Sequence, residues 1–206
     1  IFLHYVLDEW YVEQVLPRMR GRCFIIRWAD DFIIGCELES DAKRIMNVLP
    51  KRFNEYGLAL HPEKTALIDF RRPPSKVKGK GKGTFDFLGF TFYWSKSRRG
   101  YWVIKKKTAA KRLTRFVKGL WQWCRKNRHE PIKEQYRTLC SKLWGYYQYF
   151  GVRSNYHALE VVFVGAVKAW RFWLSRRSHK GGISWKKFEK ILASYPLPKP
   201  RIVHNI

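Results

Sequence analysis

Cys23-Phe24-Ile25-Ile26-Arg27-Trp28-Ala29-Asp30-Asp31-Phe32-Ile33-Ile34 sets two adjacent carboxylates between two apolar runs. Burying an unpaired charge is expensive and neighbouring carboxylates repel, so a pair in this setting asks for a cation. A divalent metal is the usual remedy, and an Mg2+ site points to phosphoryl chemistry. A hairpin turn with two solvated aspartates is the competing reading, because Asp is a common turn former. The runs read as strands over about 22–28 and 31–37, joined by a short turn at Ala29-Asp30.

A chain of 206 residues, 46% hydrophobic, suffices for one or two small domains with a real core and excludes a mostly disordered protein. It has no run of 18 apolar residues, so nothing is expected to span a membrane. Ile1-Phe2-Leu3-His4 lacks the basic flank of a signal peptide and an initiator Met, so the chain is expected to begin inside a larger protein. The net charge of +26 is uneven: −2 over residues 1–70, +13 over 71–112 and +15 over 113–206. That asymmetry points to a polyanion, and the aromatics interleaved with the cations favour nucleic acid over an anionic membrane. Cys23, Cys36, Cys124 and Cys140 form no CxxC pair, which argues against zinc and fits a reducing, cytoplasmic compartment.

Residues 1–16 place Phe2, Leu3, Val6, Leu7 and Trp10 at helical spacing, ended by Pro17. Ser40 is the expected cap of a helix that turns Ile45, Leu49, Phe53 and Tyr56 inward and stops at Gly57, with Pro50 either kinking it or marking its real start. A strand is expected near 65–70, and Arg71 to Gly83 reads as a mobile cationic loop without packing material. Residues 85–94 read as one strand paired with 101–104. After Lys107 the period turns helical. Thr108 is expected to cap the first helix, a second covers about 131–150, a third runs from Asn155 to about Arg177, and Ser184 caps a fourth before a Pro-rich extended tail.

Three landmarks occur in order: Trp28-Ala29-Asp30-Asp31, then Gly57-Leu58-Ala59-Leu60-His61-Pro62-Glu63-Lys64-Thr65, then Phe87-Leu88-Gly89-Phe90. That order resembles the reverse transcriptases, and the flanking residues are most similar to those encoded by group II introns. Leu139-Cys140-Ser141-Lys142-Leu143-Trp144-Gly145-Tyr146-Tyr147 is similar to a helix of the intron maturase, or thumb, domain. The resemblance implies an α+β fold: a partial right-hand polymerase palm with primer-grip hairpin over residues 1–106, an antiparallel sheet with packed helices. An α-helical thumb/maturase bundle over 107–206 follows.

It also implies an RNA-directed DNA polymerase in which Asp30 and Asp31 hold two Mg2+ ions, or Mn2+, and Asp30 is the main ligand. Lys64 matches a palm lysine proposed as general acid, and Phe87, Leu88, Gly89 and Phe90 match the primer grip. Arg71, Arg72, Lys105, Lys106, Lys107, Lys111 and Arg112 are the expected contacts to nucleic acid. The implied partners are template or intron RNA, a DNA primer, dNTPs and an upstream fingers/palm segment, in a bacterial cytoplasmic ribonucleoprotein. Two departures stand out. Trp28 replaces the family's Tyr, and the third metal-binding Asp of an earlier palm strand has no counterpart, since Asp8 lies on the wrong element; the chain alone is expected to be inactive. A non-enzymatic RNA-binding splicing cofactor and a domesticated or phage-defence reverse transcriptase are the alternatives.

Overall fold

The alternation between Cys23 and Cys36 folds as a hairpin in the computed structural model, which describes residues 2–76, 81–177 and 182–205. Strands β1 (Cys23–Trp28) and β2 (Asp31–Cys36) pair antiparallel, from Cys23 opposite Cys36 to Trp28 opposite Asp31. Helix α1 (Glu39–Glu55), a three-stranded sheet of β3 (Thr84–Phe87), β4 (Phe90–Lys96) and β5 (Trp102–Thr108), and helices α2 (Ala110–Lys126), α3 (Ile132–Phe150), α4 (Tyr156–Leu174) and α5 (Trp185–Ser194) follow. The chain divides into two compact units: Ile1–Leu88 with Tyr93–Val103, and Gly89–Phe92 with Ile104–Ile206.

In the first unit, side-chain alternation sends Cys23 and Ile25 inward with Phe32, Ile34 and Cys36. They meet Ile45, Leu49 and Phe53 of α1 and Val6, Leu7, Trp10, Tyr11 and Val15 of the N-terminal helical run. That run is wound as π-helix over His4–Glu9 and Tyr11–Val15, not as α-helix. The five-residue steps from Val6 to Tyr11 and from Trp10 to Val15 suit the wider winding. Phe2, at the start of the run, is exposed.

Helix α1 runs through Pro50, which leaves the Met46 carbonyl without its helical donor yet does not end the helix. Its N-cap is Leu38 and makes no side-chain cap bond, so Ser40 is not the cap. The fully buried Asp41 anchors this end, accepting from Arg20 N at 3.0 Å and Gly21 N at 2.8 Å. Tyr56 is exposed rather than inward.

Residues 65–70 form no strand. Their polar groups are used elsewhere: the Phe70 carbonyl accepts from Trp94 Nε1 at 2.9 Å, and Asp69 takes both ends of the Arg71 fork. The cationic loop is tacked down over its described part. Trp102 Nε1 donates to Pro74 O, Gly81 N donates to Trp94 O, and a side chain at Gly81 would collide with Trp94 and Pro73. The Val77–Lys80 part of that loop lies outside the described residues. The stretch read as one strand from 85 to 94 is two strands, because Leu88 (φ 50°) and Gly89 (φ 78°) turn the chain back between β3 and β4.

The second unit is built on α2, α3, α4 and α5, with Leu120, Leu139, Leu143, Tyr147, Leu159, Val162, Trp170 and Phe188 at its centre. At the start of α2 the N-cap is Ala109, without a side-chain cap. Thr108 is instead buried: its N–H donates to Asn155 Oδ1 and its hydroxyl accepts from Asn155 Nδ2, both at 2.7 Å. Ser184 does cap α5, accepting from Lys187 N at 3.3 Å. The tail is extended but docked, with Tyr147 Oη donating to Pro198 O and the amides of Val203 and His204 donating to Gly151 O.

Candidate active site

The β1–β2 turn consists of Ala29 and Asp30 alone, so Trp28, Asp30 and Asp31 cluster at one tip. Ala29 has φ 54°, a backbone conformation that usually takes Gly. Among the described residues, Ala29 and Leu88 are the two non-glycine positions with positive φ. Each sits at the turn of a sequence landmark. Backbone strain of this kind persists where the surroundings enforce it, and it clusters at functional sites.

Both carboxylates are exposed. The premise of a sequestered pair therefore fails: alternation buries the flanking apolar side chains on one face while the turn itself reaches solvent. The other face of β1 is also open, with Phe24, Ile26 and Trp28 exposed by 56%, 52% and 70%. Register places Asp31 beside Trp28 on that face.

Arg27 is the residue that sequence reading passed over. It alternates inward with Cys23 and Ile25, where a cation needs a partner. Asp8 supplies one: Arg27 Nε donates to Asp8 Oδ1 at 2.7 Å and Nη2 to Oδ2 at 2.5 Å, while Nη1 donates to the Ala29 carbonyl at 2.8 Å. An Arg at an inward position of a strand is the signal that would have found this contact. Asp8 is thus paired with Arg27, and His4 Nδ1 stands 3.5 Å from its Oδ2.

Hydrogen bonding from Arg27 holds the Asp8 carboxyl below its ordinary range. A depressed folded pKa means that the pair's stabilisation is complete above the unfolded Asp value of about 3.9 and fades as pH falls through the lower folded value. The melting temperatures of the native chain and of Asp8→Asn should therefore differ at neutral pH and converge only below about pH 4. Convergence near neutrality would contradict this assignment.

The other expected site residues fall into three groups. Lys64 is exposed, its amide closes a turn on His61 O at 3.1 Å, and it makes no hydrogen bond or ion pair with Asp30 or Asp31. Arg71 is tied to Asp69, whose carboxyl it holds down at about 2, while Arg72 is exposed.

At the expected primer grip, Phe87 and Leu88 belong to the first unit, Gly89 and Phe90 to the second. The Gly89 carbonyl accepts from Ala109 N at 2.9 Å. A Cβ on Gly89 would meet only ordinary contacts with Phe150 and Arg112, so Gly is needed there for φ and not for space. Phe90 packs against Tyr149 and Phe150, with centroid distances of 5.8 Å and 5.1 Å, and Lys106 Nζ stands 6.0 Å from its ring. The Lys106 backbone is clasped by Ser154 Oγ. Lys105 is half-buried, whereas Lys107, Lys111 and Arg112 are exposed.

Asp30 and Asp31 are hard oxygen donors, adjacent and accessible, and suit part of the coordination shell of Mg2+ or Mn2+. Among the described residues no group of three or more His, Cys, Asp or Glu is arranged to hold a metal ion. The donor set here is therefore a fitting but partial one.

A two-residue hairpin that displays paired carboxylates on a mixed helix and antiparallel-sheet unit is consistent with a polymerase palm. Residues 1–92 match the family model described as Reverse transcriptase (RNA-dependent DNA polymerase). The match supports a reverse transcriptase family for the segment bearing the Asp-Asp turn. No curated protein matches the chain.

Proposed function

We propose that the chain is the C-terminal palm portion and the thumb/maturase domain of a group II intron-type reverse transcriptase. The observation that carries the reading is the strained two-residue turn exposing Asp30 and Asp31 inside the segment that matches the reverse transcriptase model. Asp30, with Asp31 in support, holds the divalent ions, and an upstream segment supplies the third carboxylate. Divalent ions held by these carboxylates would supply charge stabilisation for phosphoryl transfer. Trp28, 70% exposed beside the pair, flanks the primer end, and Lys64 faces the leaving group as proton donor. Lys107, Lys111 and Arg112 lie along the template–primer backbone, where phosphate contacts position without reading sequence.

The test is RNA-templated extension of a DNA primer by this chain combined with its upstream fingers/palm segment, with dNTPs and Mg2+. Extension that needs the RNA template, the metal and the chain supports the reading. No extension under any divalent ion overturns it.

The second unit favours an RNA-binding splicing role, by itself or alongside polymerisation, in a cytoplasmic ribonucleoprotein. Its surface couples cations to aromatic rings: Arg176 stands 3.6 Å from the Phe172 centroid, Arg171 4.0 Å from Trp185 and Arg125 5.6 Å from Trp173. Such pairs stack on bases as well as attract phosphates. A splicing cofactor without polymerase activity binds intron RNA with steep salt dependence and is indifferent to Asp30→Ala.

A further inference from the structure

We propose that Arg27, locked in place by Asp8, is a positioning residue that sets the Ala29-Asp30 turn and so aims the Asp30 carboxylate. The inference rests on the reading of Asp30 as a metal ligand, and names the group that holds it in place.

Three donors of one guanidinium are accounted for. Two go to the Asp8 carboxylate on the N-terminal π-helix, and the third goes to the carbonyl of Ala29. The side chains of Arg27 and Asp8 are only 23% and 27% exposed, so the pair is sheltered from water. The third bond falls on the residue whose backbone is least at ease. An alanine at φ 54° costs on the order of 1–2 kcal/mol relative to ordinary backbone, and that conformation normally uses Gly. A fixed donor on the Ala29 carbonyl compensates that cost and selects one peptide orientation. The carbonyl of Ala29 and the amide of Asp30 belong to the same planar peptide, so holding one orients the other.

A surface ion pair needs none of this, since a two-point contact with Asp8 would suffice. Arg is also required rather than Lys, because only a planar fork serves a carboxylate and a carbonyl together. The arrangement resembles the outer-shell contacts that orient metal ligands elsewhere. Losing such a contact typically costs about 10–100-fold in metal affinity.

The test uses the 206-residue chain, isotope-labelled for NMR, with Mn2+ as the probe. Ala29 13C shifts report the left-handed backbone, and broadening of the Ala29 to Asp31 amides reports Mn2+ at the turn. In the native chain Mn2+ should broaden these amides, and Asp30→Ala should remove the effect. Arg27→Lys should move the Ala29 shifts toward ordinary values and weaken Mn2+ binding by about 10-fold. Ile25 and Ile34, paired across the hairpin, should keep their shifts in that variant. Asp8→Asn, which leaves the guanidinium in place but loosens its anchor, should act in the same direction and serves if Arg27→Lys disturbs the fold. Unchanged Ala29 shifts and Mn2+ affinity in both variants overturn the inference while leaving Asp30 as ligand. Absence of broadening in the native chain, or its survival in Asp30→Ala, overturns the ligand reading and this inference together.

Discussion

Asp30→Ala is expected to lower RNA-templated primer extension by at least about 10^3-fold in the chain combined with its upstream palm segment, with little change in RNA affinity. Metal ions at a phosphoryl-transfer site supply several kcal/mol of charge stabilisation in the transition state, and each 1.4 kcal/mol is tenfold in rate. Asp30, as the proposed main ligand, takes that stabilisation with it when removed, while the basic surface proposed to bind nucleic acid is untouched. The loss should therefore appear in kcat, with KM for the template–primer nearly constant. Asp31→Ala should cost less, because register sets Asp31 beside Trp28 on the open face of the hairpin while Asp30 occupies the turn itself. The exposed turn tolerates either change, so thermal melting of the chain should shift by under about 0.5 kcal/mol equivalent. Equal activity of Asp30→Ala and native protein would remove the enzymatic reading and leave the RNA-binding one.

What the sequence showed and what it hid divide along a physical line. Local periodicity was legible, and local caps only in part, since Ser40 and Thr108 cap neither α1 nor α2. The hairpin register follows from alternation around the Asp-Asp turn, Gly57 stops α1 in the left-handed conformation, and Ser184 caps α5. Contacts between a side chain and a distant backbone group were not. Asp41 reaches amides 20 and 21 residues away, and Asn155 reaches across 47 residues to Thr108, so neither has a signature in its own neighbourhood. The expected strand at 65–70 failed for the same reason. Its apolar pattern is genuine, but the Phe70 carbonyl goes to the Trp94 indole rather than to a neighbouring strand. The candidate site followed this division too. Its carboxylates were visible as a motif, whereas the Arg27–Asp8 brace beneath them depends on a helix 19 residues upstream.

Trp170→Ala should cause the largest loss of stability in the second unit, about 3–5 kcal/mol from the cavity alone. The indole is fully buried at the centre of the helical core and packs against Phe188 at a centroid distance of 5.7 Å. It also completes a polar node. Trp170 Nε1 donates to Gln135 Oε1 at 2.8 Å, and Gln135 Nε2 faces the carbonyls of Asn127, Arg128 and Glu130. Those carbonyls belong to the turn between α2 and α3, so one buried amide ties that turn to α4. Truncation leaves Gln135 Oε1 buried without a donor, adding about 1–3 kcal/mol to the cavity cost. Domain stabilities are only about 5–15 kcal/mol, so the variant should be largely unfolded in this unit at 37 °C. Trp170→Phe separates the two contributions: it restores most of the ring volume but not the N–H, and should recover the cavity share alone. Urea unfolding followed by far-UV circular dichroism provides the measurement, and RNA binding by the second unit should fall in parallel with its folded fraction. A cost below about 1 kcal/mol for Trp170→Ala would overturn both shares, whereas full recovery by Trp170→Phe would assign the α2–α3 turn to Arg177, which also donates to the carbonyls of Arg128 and Glu130.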